Sequence, residues 1–355
     1  ATAGQIAEKH EKSRLIRGIK LLEIGIMALA ALALWLKSLP LLLAVLFLMG
    51  SQSALFGPVK YAILPQHLDE AELIGGNAWV EAATFLAILI GTLVGGWLIA
   101  QHGGATWVAL VLMAVAILGY LAARGIPPAA PTAPDLRINW NPLTETVRNL
   151  GFLRTHRTVF LSVLGISWFW FFGALFLSQL PHYTKLYLGG DETVVTLLLA
   201  VFSLGIGAGS LLCERLSGGQ VEIGLVPLGS IGLTVFGIDL FLAAPDLAVG
   251  PQLDAMAFLG QAANHRVLWD LGLMGLSGGL FIVPLYALVQ TRAAPAHRSR
   301  VIAGNNILNA LFMVAAALIA IALLQAGLSI PQLFLVATLM NAAVAVFIYG
   351  LVPEF

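Results

Sequence analysis

Ten apolar runs constrain this 355-residue chain more than anything else in it. They lie near Leu21–Leu36, Leu41–Leu55, Ile74–Ala100, Trp107–Ala123, Val159–Leu180, Thr193–Leu212, Leu225–Ala243, Val267–Leu288, Val301–Leu324 and Leu333–Leu351, and the short second run continues through Tyr61. A helix crosses the hydrocarbon of a bilayer in about 20 residues. The runs are continuous rather than alternating, so they read as helices and not as barrel strands. Composition agrees: 59% of the residues are hydrophobic and 10% charged, against about 45–50% and about 25% in a soluble domain. No soluble fold of this size hides so much apolar surface, which makes the chain an all-α membrane protein. A single cysteine, Cys213, excludes an intrachain disulfide framework and a cysteine-rich metal site. No zinc motif, nucleophile elbow or Walker sequence is present. Gly205-x-Gly207-x-Gly209 sits inside an apolar run with no strand before it, which rules out a nucleotide loop. The expectation is therefore no catalytic residue, no metal and no cofactor. Zero net charge implies no nucleic-acid partner.

Basic residues then orient the spans. With residues 5–20 in the cytoplasm and alternation from there, only Lys37, Lys185 and Arg266 of the 18 Lys and Arg fall on the outer side. This positive-inside bias places both visible ends in the cytoplasm. Residues 124–158 form the longest inner connection. Pro127, Pro128, Pro131 and Pro134 make its first part extended. Asn141-Pro142 reads as an N-cap followed by proline at the first helical position. Leu143, Val147 and Leu150 follow at helical spacing. They suggest either an amphipathic helix on the inner leaflet, with Arg148 and Arg157 near phosphates, or a linker helix packed on the bundle. The chain divides into 1–123, a linker over 124–158, and 159–355.

The two parts are related. In the stretch from Phe56 to Ile99, Pro58, Tyr61-Ala62 and Gly76-Asn77 recur as Pro284, Tyr286-Ala287 and Gly304-Asn305, about 226 residues later. Glu8-Lys9 recurs as Glu214-Arg215. A repeat of that length holds several spans, so the halves are similar bundles. The second half has two runs before Glu214, whereas seven residues precede Glu8. The expectation is a six-plus-six arrangement whose first two helices are absent from this chain. Ala1-Thr2-Ala3-Gly4 reads as the tail of a segment already under way, with no signal-peptide n-region before the first run.

Two six-span halves joined by a long cytoplasmic link resemble the major facilitator superfamily. Its loop signature, G-x-x-x-D-[RK]-x-G-[RK]-[RK], is similar to Gly4-Gln5-Ile6-Ala7-Glu8-Lys9-His10-Glu11-Lys12-Ser13, with Glu8 for the acid, Glu11 for the second glycine and Ser13 for a basic residue. The stretch from Phe56 to Gly96 looks like the lysophospholipid transporter family. That resemblance implies inward movement of lysophospholipids across the bacterial inner membrane by alternating access, for reacylation. It also implies an acyltransferase and an acyl-carrier-protein synthetase, fused or associated, with Val352-Pro353-Glu354-Phe355 resembling the junction. Rival readings are a proton-coupled exporter of amphipathic drugs and a membrane anchor for a fused acyltransferase.

Several residues are candidates for this work. Gly4, Glu8, Lys9, Glu214 and Arg215 are expected to gate the cytoplasmic side. Glu8 would cap the span beginning near Val301 or pair with Lys60; the bland alternative is a solvated turn. Lys60 and Glu81 lie on consecutive spans, each a few turns from the corner near Asp69. Ionisable groups there face protein or a wet cavity. With Tyr61, Asn77, Asn305 and Asn306 they are the candidate headgroup residues, against a purely structural ion pair or a snorkelling lysine. Gly91, Gly95, Gly205 and Gly209 carry G-x-x-x-G spacing. By the resemblance, their spans neighbour each other across the seam between halves. Trp168-Phe169-Trp170-Phe171-Phe172 lies mid-span, where packing is the simpler role and an acyl-chain path the sharper one. Glu23 and Asp239 lie near span ends, where water reaches them.

Overall fold

The computed structural model describes residues 2–154, 156–218, 224–245, 247–248 and 250–351. The junction read at Val352–Phe355 lies outside these. In chain order the helices are α1 (Thr2–Lys9), α2 (Lys12–Trp35), α3 (Leu39–His67), α4 (Leu73–Ile99), α5 (Gly104–Ala123), α6 (Pro142–Leu153), α7 (Arg157–Leu186), α8 (Glu192–Ser217), α9 (Leu225–Leu242), α10 (Ala255–Leu259), α11 (Ala262–Arg292), α12 (Arg298–Gln325) and α13 (Ile330–Leu351). Among the described residues the one β contact is an isolated bridge, Gly190 to Leu253. Among the described residues ten helices are long and apolar enough to cross a membrane: α2–α5, α7–α9 and α11–α13. The chain is thus an all-helical, multi-pass membrane protein.

Most spans outrun their apolar cores. Helix α3 continues to His67 and α11 to Arg292, because a helix needs only its own backbone bonds once it leaves lipid. Both run through the matched prolines, Pro58 and Pro284. Each proline removes one donor from the helical ladder. Side chains start several helices. The Glu11 carboxylate accepts from Ser13 N and Arg14 N to open α2, and Asp191 accepts from Thr193 N and Val194 N to open α8. Asn141 Oδ1 accepts from Leu143 N and Thr144 N, so α6 begins at the expected cap.

The chain forms two compact units. The first comprises Ala1–Asp69, Ile90–Val159 and Gln290–Ile307; the second comprises Glu70–Leu89, Phe160–Val289 and Leu308–Phe355. In the first, α2 packs between α3 and α5, with Ile16, Ile19, Val59 and Ile63 in its core. The linker is strapped over α1 and the start of α2. Ala129 N donates to Glu11 Oε1, Lys12 N to Ala129 O, and Ala133 N to Glu8 O. Gln5 and the Asn139 backbone exchange two further bonds. Helix α6 carries its polar stripe inward: Glu145, Asn149 and Leu153 are fully buried, and Asn149 and Leu153 lie against Gly304. Its apolar stripe points out, with Leu143 77% and Val147 72% exposed, beside Trp140 at 71%.

In the second unit α9 packs on α13, and α8 interlocks with α11. Gly205 and Gly209 press on the backbone at Gly272 and Leu276, while Gly275 and Gly279 receive the backbone of α8 at Phe202, Ile206 and Ser210. Small residues on both helices permit that approach. Four rings of the aromatic run of α7, Trp168, Phe169, Phe171 and Phe172, are buried, and Trp170 is half-buried. Trp168 Nε1 donates to Asn341 Oδ1 at 2.8 Å, and Phe172 stacks on Phe176, which stacks on Phe334.

Candidate functional site

In the first unit Glu8 is fully buried and Arg300 is 3% exposed. Glu8 Oε2 accepts from Arg300 Nε at 2.7 Å and Oε1 from Arg300 N at 3.2 Å. The carboxylate thus binds both a cation and the N-terminal turn of α12, whose free N–H groups and dipole favour negative charge. Of the two partners foreseen for Glu8, the helix start is present, and Arg300 supplies the charge named for Lys60. Gly4 makes the approach possible: a Cβ there would lie 2.8 Å from Arg300 Cα and 2.9 Å from Ser299 O. Arg300 Nη2 donates to His297 Nδ1 at 2.6 Å, and its guanidinium lies 4.6 Å from the Phe152 ring centre. The His297 ring stacks on the same Phe152. Burial pushes the Glu8 carboxyl up to about 7, against the pull of Arg300. Glu11 behaves oppositely. Burial raises it, but donation from Ala129 N, Ser13 and Arg14 N outweighs that and holds it at about 2. Glu11 is therefore a fixed charge and Glu8 a titrating one. Lys9 is half-buried.

A related contact lies in the second unit. The Glu214 carboxylate sits over the start of α4, where a Cβ on Gly75 would lie 2.5 Å from Oε1. Helices α4 and α12 carry the matched Gly-Asn pairs, so the repeated acids Glu8 and Glu214 meet repeated helix starts. Arg215, beside Glu214, is exposed.

The headgroup candidates fall into both units. In the first, Lys60 is half-buried with its ammonium 4.5 Å from the Tyr61 ring centre. Tyr61 O accepts from the buried Gln290 Nε2 at 3.1 Å. Asn306 faces Gly57 one turn earlier, where a Cβ would lie 2.5 Å from Nδ2. Asn305 is 1% exposed, and neither polar atom of its side chain has a hydrogen-bond partner. In the second unit Asn77 and Glu81 are fully buried one turn apart on α4, and Asn77 Nδ2 donates back to Leu73 O.

The four seam glycines do not share one environment. Gly205 and Gly209 are committed to α11, whereas a Cβ on Gly91 or Gly95 meets nothing within 4 Å. Gly209→Leu is therefore expected to lower folded yield and thermal stability by a typical overpacking penalty of about 1–3 kcal/mol or more. Gly95→Leu should stay within about 0.5 kcal/mol of the parent. Equal melting of the two purified variants would contradict this.

Sequence reasoning missed a groove in the second unit. Trp79, Ala82, Ala83 and Leu86 of α4 face Ser203, Leu204, Gly207, Ala208 and Leu211 of α8 across a cavity of about 380 Å³. A Cβ on Gly207 would lie 3.9 Å from Ala82 at its floor. Trp79, Leu86 and Leu204 are 63%, 46% and 56% exposed, so the groove opens sideways. The only sequence signal for it was the run of small residues along α8.

Long helices crossing a membrane, repeated acidic contacts at helix starts and a side-opening groove define a membrane-transporter architecture. The family profile described as Major Facilitator Superfamily matches residues 17–264. The chain is 30% identical over 312 residues to the lysophospholipid transporter LplT of Escherichia coli O157:H7, covering 86% of this chain and 69% of that one. It is 29% identical over 310 residues to LplT of Serratia proteamaculans (strain 568), with the same coverage. Among solved structures it superposes on FucP in the outward conformation with a TM-score of 0.71 at 13% identity, over 98% of this chain and 85% of that one. The human organic anion transporter MFSD10 gives 0.71 at 15% identity, over 98% and 79%. The chain belongs to the major facilitator superfamily and, within it, to the lysophospholipid transporter family.

Proposed function

We propose that this protein moves lysophospholipids inward across the bacterial inner membrane by alternating access, delivering them for reacylation. The observation that carries the reading is the α4–α8 groove. It is apolar, opens sideways and is of the size that holds a small ligand. A lipid chain enters it from the bilayer while the headgroup stays among polar residues. The candidate polar residues are Lys60, Tyr61, Asn305 and Asn306 in the first unit and Asn77 and Glu81 in the second. Gly4, Glu8 and Lys9, with Glu214 and Arg215 as counterpart, gate the cytoplasmic side, and the bias of basic residues puts both visible ends there. The halves 1–123 and 159–355 move about the linker, and the exposed Leu143, Val147 and Trp140 rest on the inner leaflet. An acyltransferase, fused or associated, is the expected partner.

The deciding experiment reconstitutes the full-length protein into vesicles. It follows loss of labelled lysophosphatidylethanolamine from the outer leaflet beside efflux of an amphipathic dye. Lysolipid movement without dye efflux supports the reading; dye efflux alone would make the protein a drug exporter, and neither an anchor.

Lys60 offers a residue-level test. A phosphate in a low-dielectric region needs a compensating cation. Lys60→Gln is expected to slow lysolipid movement about tenfold or more, since a charged hydrogen bond contributes roughly 1.5–3 kcal/mol. Lys60→Arg keeps the charge and should lose less. If Lys60 only balances Glu81, exchanging the two residues restores transport; if it meets phosphate, the exchange fails. Wild-type rates in Lys60→Gln leave it an inner-leaflet anchor.

A further inference from the structure

In the first unit a cavity of about 50 Å³ lies where the linker meets the starts of two long helices. His156 and Val159 line it at the start of α7, His297 and Val301 at the start of α12, and Phe152 from α6. Roughly 10–15 Å³ admits one water, so the space takes about four heavy atoms. A helix N-terminus carries N–H groups outside the helical ladder and the positive end of the dipole, and here two of them flank one space. The side chains around it are cationic. Residues 148–159 and 290–303 hold six arginines, two histidines and no acid. The Arg300 guanidinium lies 4.6 Å from the Phe152 ring centre, and that of Arg148 lies 5.9 Å from it.

The contacts of this corner leave its positive charge in surplus. Glu8 spends its carboxylate on Arg300 Nε and the α12 backbone. Glu145 stands about two turns before Phe152, on the buried face of α6. Arg300 Nη1 has no hydrogen-bond partner, although the residue is 3% exposed. Nη2 of the same guanidinium donates to His297 Nδ1, and the His297 ring stacks on Phe152. The unpartnered nitrogen therefore belongs to a guanidinium in contact with two residues of the cavity wall. Burial, with the positive fields of Arg300 and Arg148, holds His297 below its ordinary value. A neutral imidazole that accepts at Nδ1 carries its hydrogen on Nε2. Both lone pairs of His297 are thus committed, and the wall offers no carboxylate, so a metal ion does not suit it. A compact anion with several acceptor oxygens does. The apolar remainder of the wall keeps the local dielectric low and strengthens each such contact.

We propose that this cavity binds a phosphoryl anion, and that the bound anion fastens linker helix α6 to the starts of α7 and α12. The group comes either from an acidic lipid of the inner leaflet or from free phosphate; both present the same tetrahedral oxygens. The test needs no transport, so its failure leaves the transport reading standing. Full-length protein in neutral detergent is titrated with sodium phosphate against sodium chloride of equal ionic strength, and its melting temperature is followed. Saturating phosphate is expected to raise it by roughly 2–8 °C, with chloride giving no such rise. Two variants remove the site in different ways. His156→Gln with His297→Gln takes away the imidazoles, and Ala294→Phe fills the space from its rim without touching a charge. Both should lose the phosphate shift. Repeating the titration in phosphatidylcholine nanodiscs with and without phosphatidic acid separates the sources. If the lipid is the ligand, phosphatidic acid gives the rise and phosphate adds nothing to it; if free phosphate is, the shift is the same in both discs. A rise matched by chloride overturns the proposal. So does a phosphate shift that persists in Ala294→Phe and in the double histidine variant.

Discussion

Glu8→Ala is expected to release α1 from α12 and to cut transport at least tenfold. Removing one partner of a buried ion pair leaves the other charge uncompensated, at a cost of about 3–5 kcal/mol. Arg300, 3% exposed and packed on Phe152, is such a charge. At about 1.4 kcal/mol per decade, the latched form then falls by roughly two to three and a half orders of magnitude against the released one. Labelling of a cysteine at Ala3, 8% exposed here, reads that release directly. The contact should also respond to pH. The Glu8 carboxyl stands near 7 in the latched form against an ordinary 4.5. Its contribution to latching is fully present below about 4.5 and fades as pH rises through about 7. Labelling at Ala3→Cys is therefore expected to rise between about pH 5 and 8, when compared with Glu8→Gln at each pH. Glu8→Gln keeps an acceptor for Arg300 N–H but has nothing to titrate, so it should lose that slope. Unchanged labelling and wild-type transport in Glu8→Ala would remove the latch from the mechanism.

The legible part of this protein was the part written in hydrophobic runs. Lipid forces each span to satisfy its own backbone, so position and type follow from local composition alone. The cap at Asn141 and the matched Pro-Tyr-Ala and Gly-Asn pairs are local too. What escaped depends on partners far away in the chain. The end of α11 and the start of α12 offer Arg292, Arg298 and Arg300 close together in sequence, and only the fold selects Arg300 for Glu8. The strap of Ala129, Ala133 and Asn139 over α1 and the start of α2 uses its own backbone atoms, in a proline-rich segment without periodicity. G-x-x-x-G spacing announces that a helix can be approached closely, but not by what. Gly205 and Gly209 find α11, while Gly91 and Gly95 stand open.

Gly207→Trp is expected to slow lysophospholipid transport by about five- to a hundredfold while leaving the protein folded. The bilayer is itself an apolar solvent, so the groove gains little by being greasy. Its contribution has to be steric: a channel in which a chain can move while the headgroup crosses. Gly207 lies at the narrow point, where a methyl would just touch Ala82 and an indole would fill the space between α4 and α8. Pushing a chain past such an obstruction costs about 1–3 kcal/mol, which sets the expected range. The groove opens sideways, so the added ring has somewhere to go. That is why Gly207→Trp should keep its stability where Gly209→Leu, driven into the backbone of α11, should lose it. Gly207→Ala is expected within about twofold of the parent, because its Cβ would sit at ordinary contact distance. Gly95→Trp, on a face with nothing within 4 Å, controls for bulk alone. Chain length supplies the remaining discrimination. A glycerophosphodiester with no acyl chain should cross Gly207→Trp as readily as the parent, since only the chain needs the groove. Equal slowing of chain-bearing and chain-free substrates would place the obstruction on the headgroup path, and unimpaired lysolipid transport would leave the groove without a part in the mechanism.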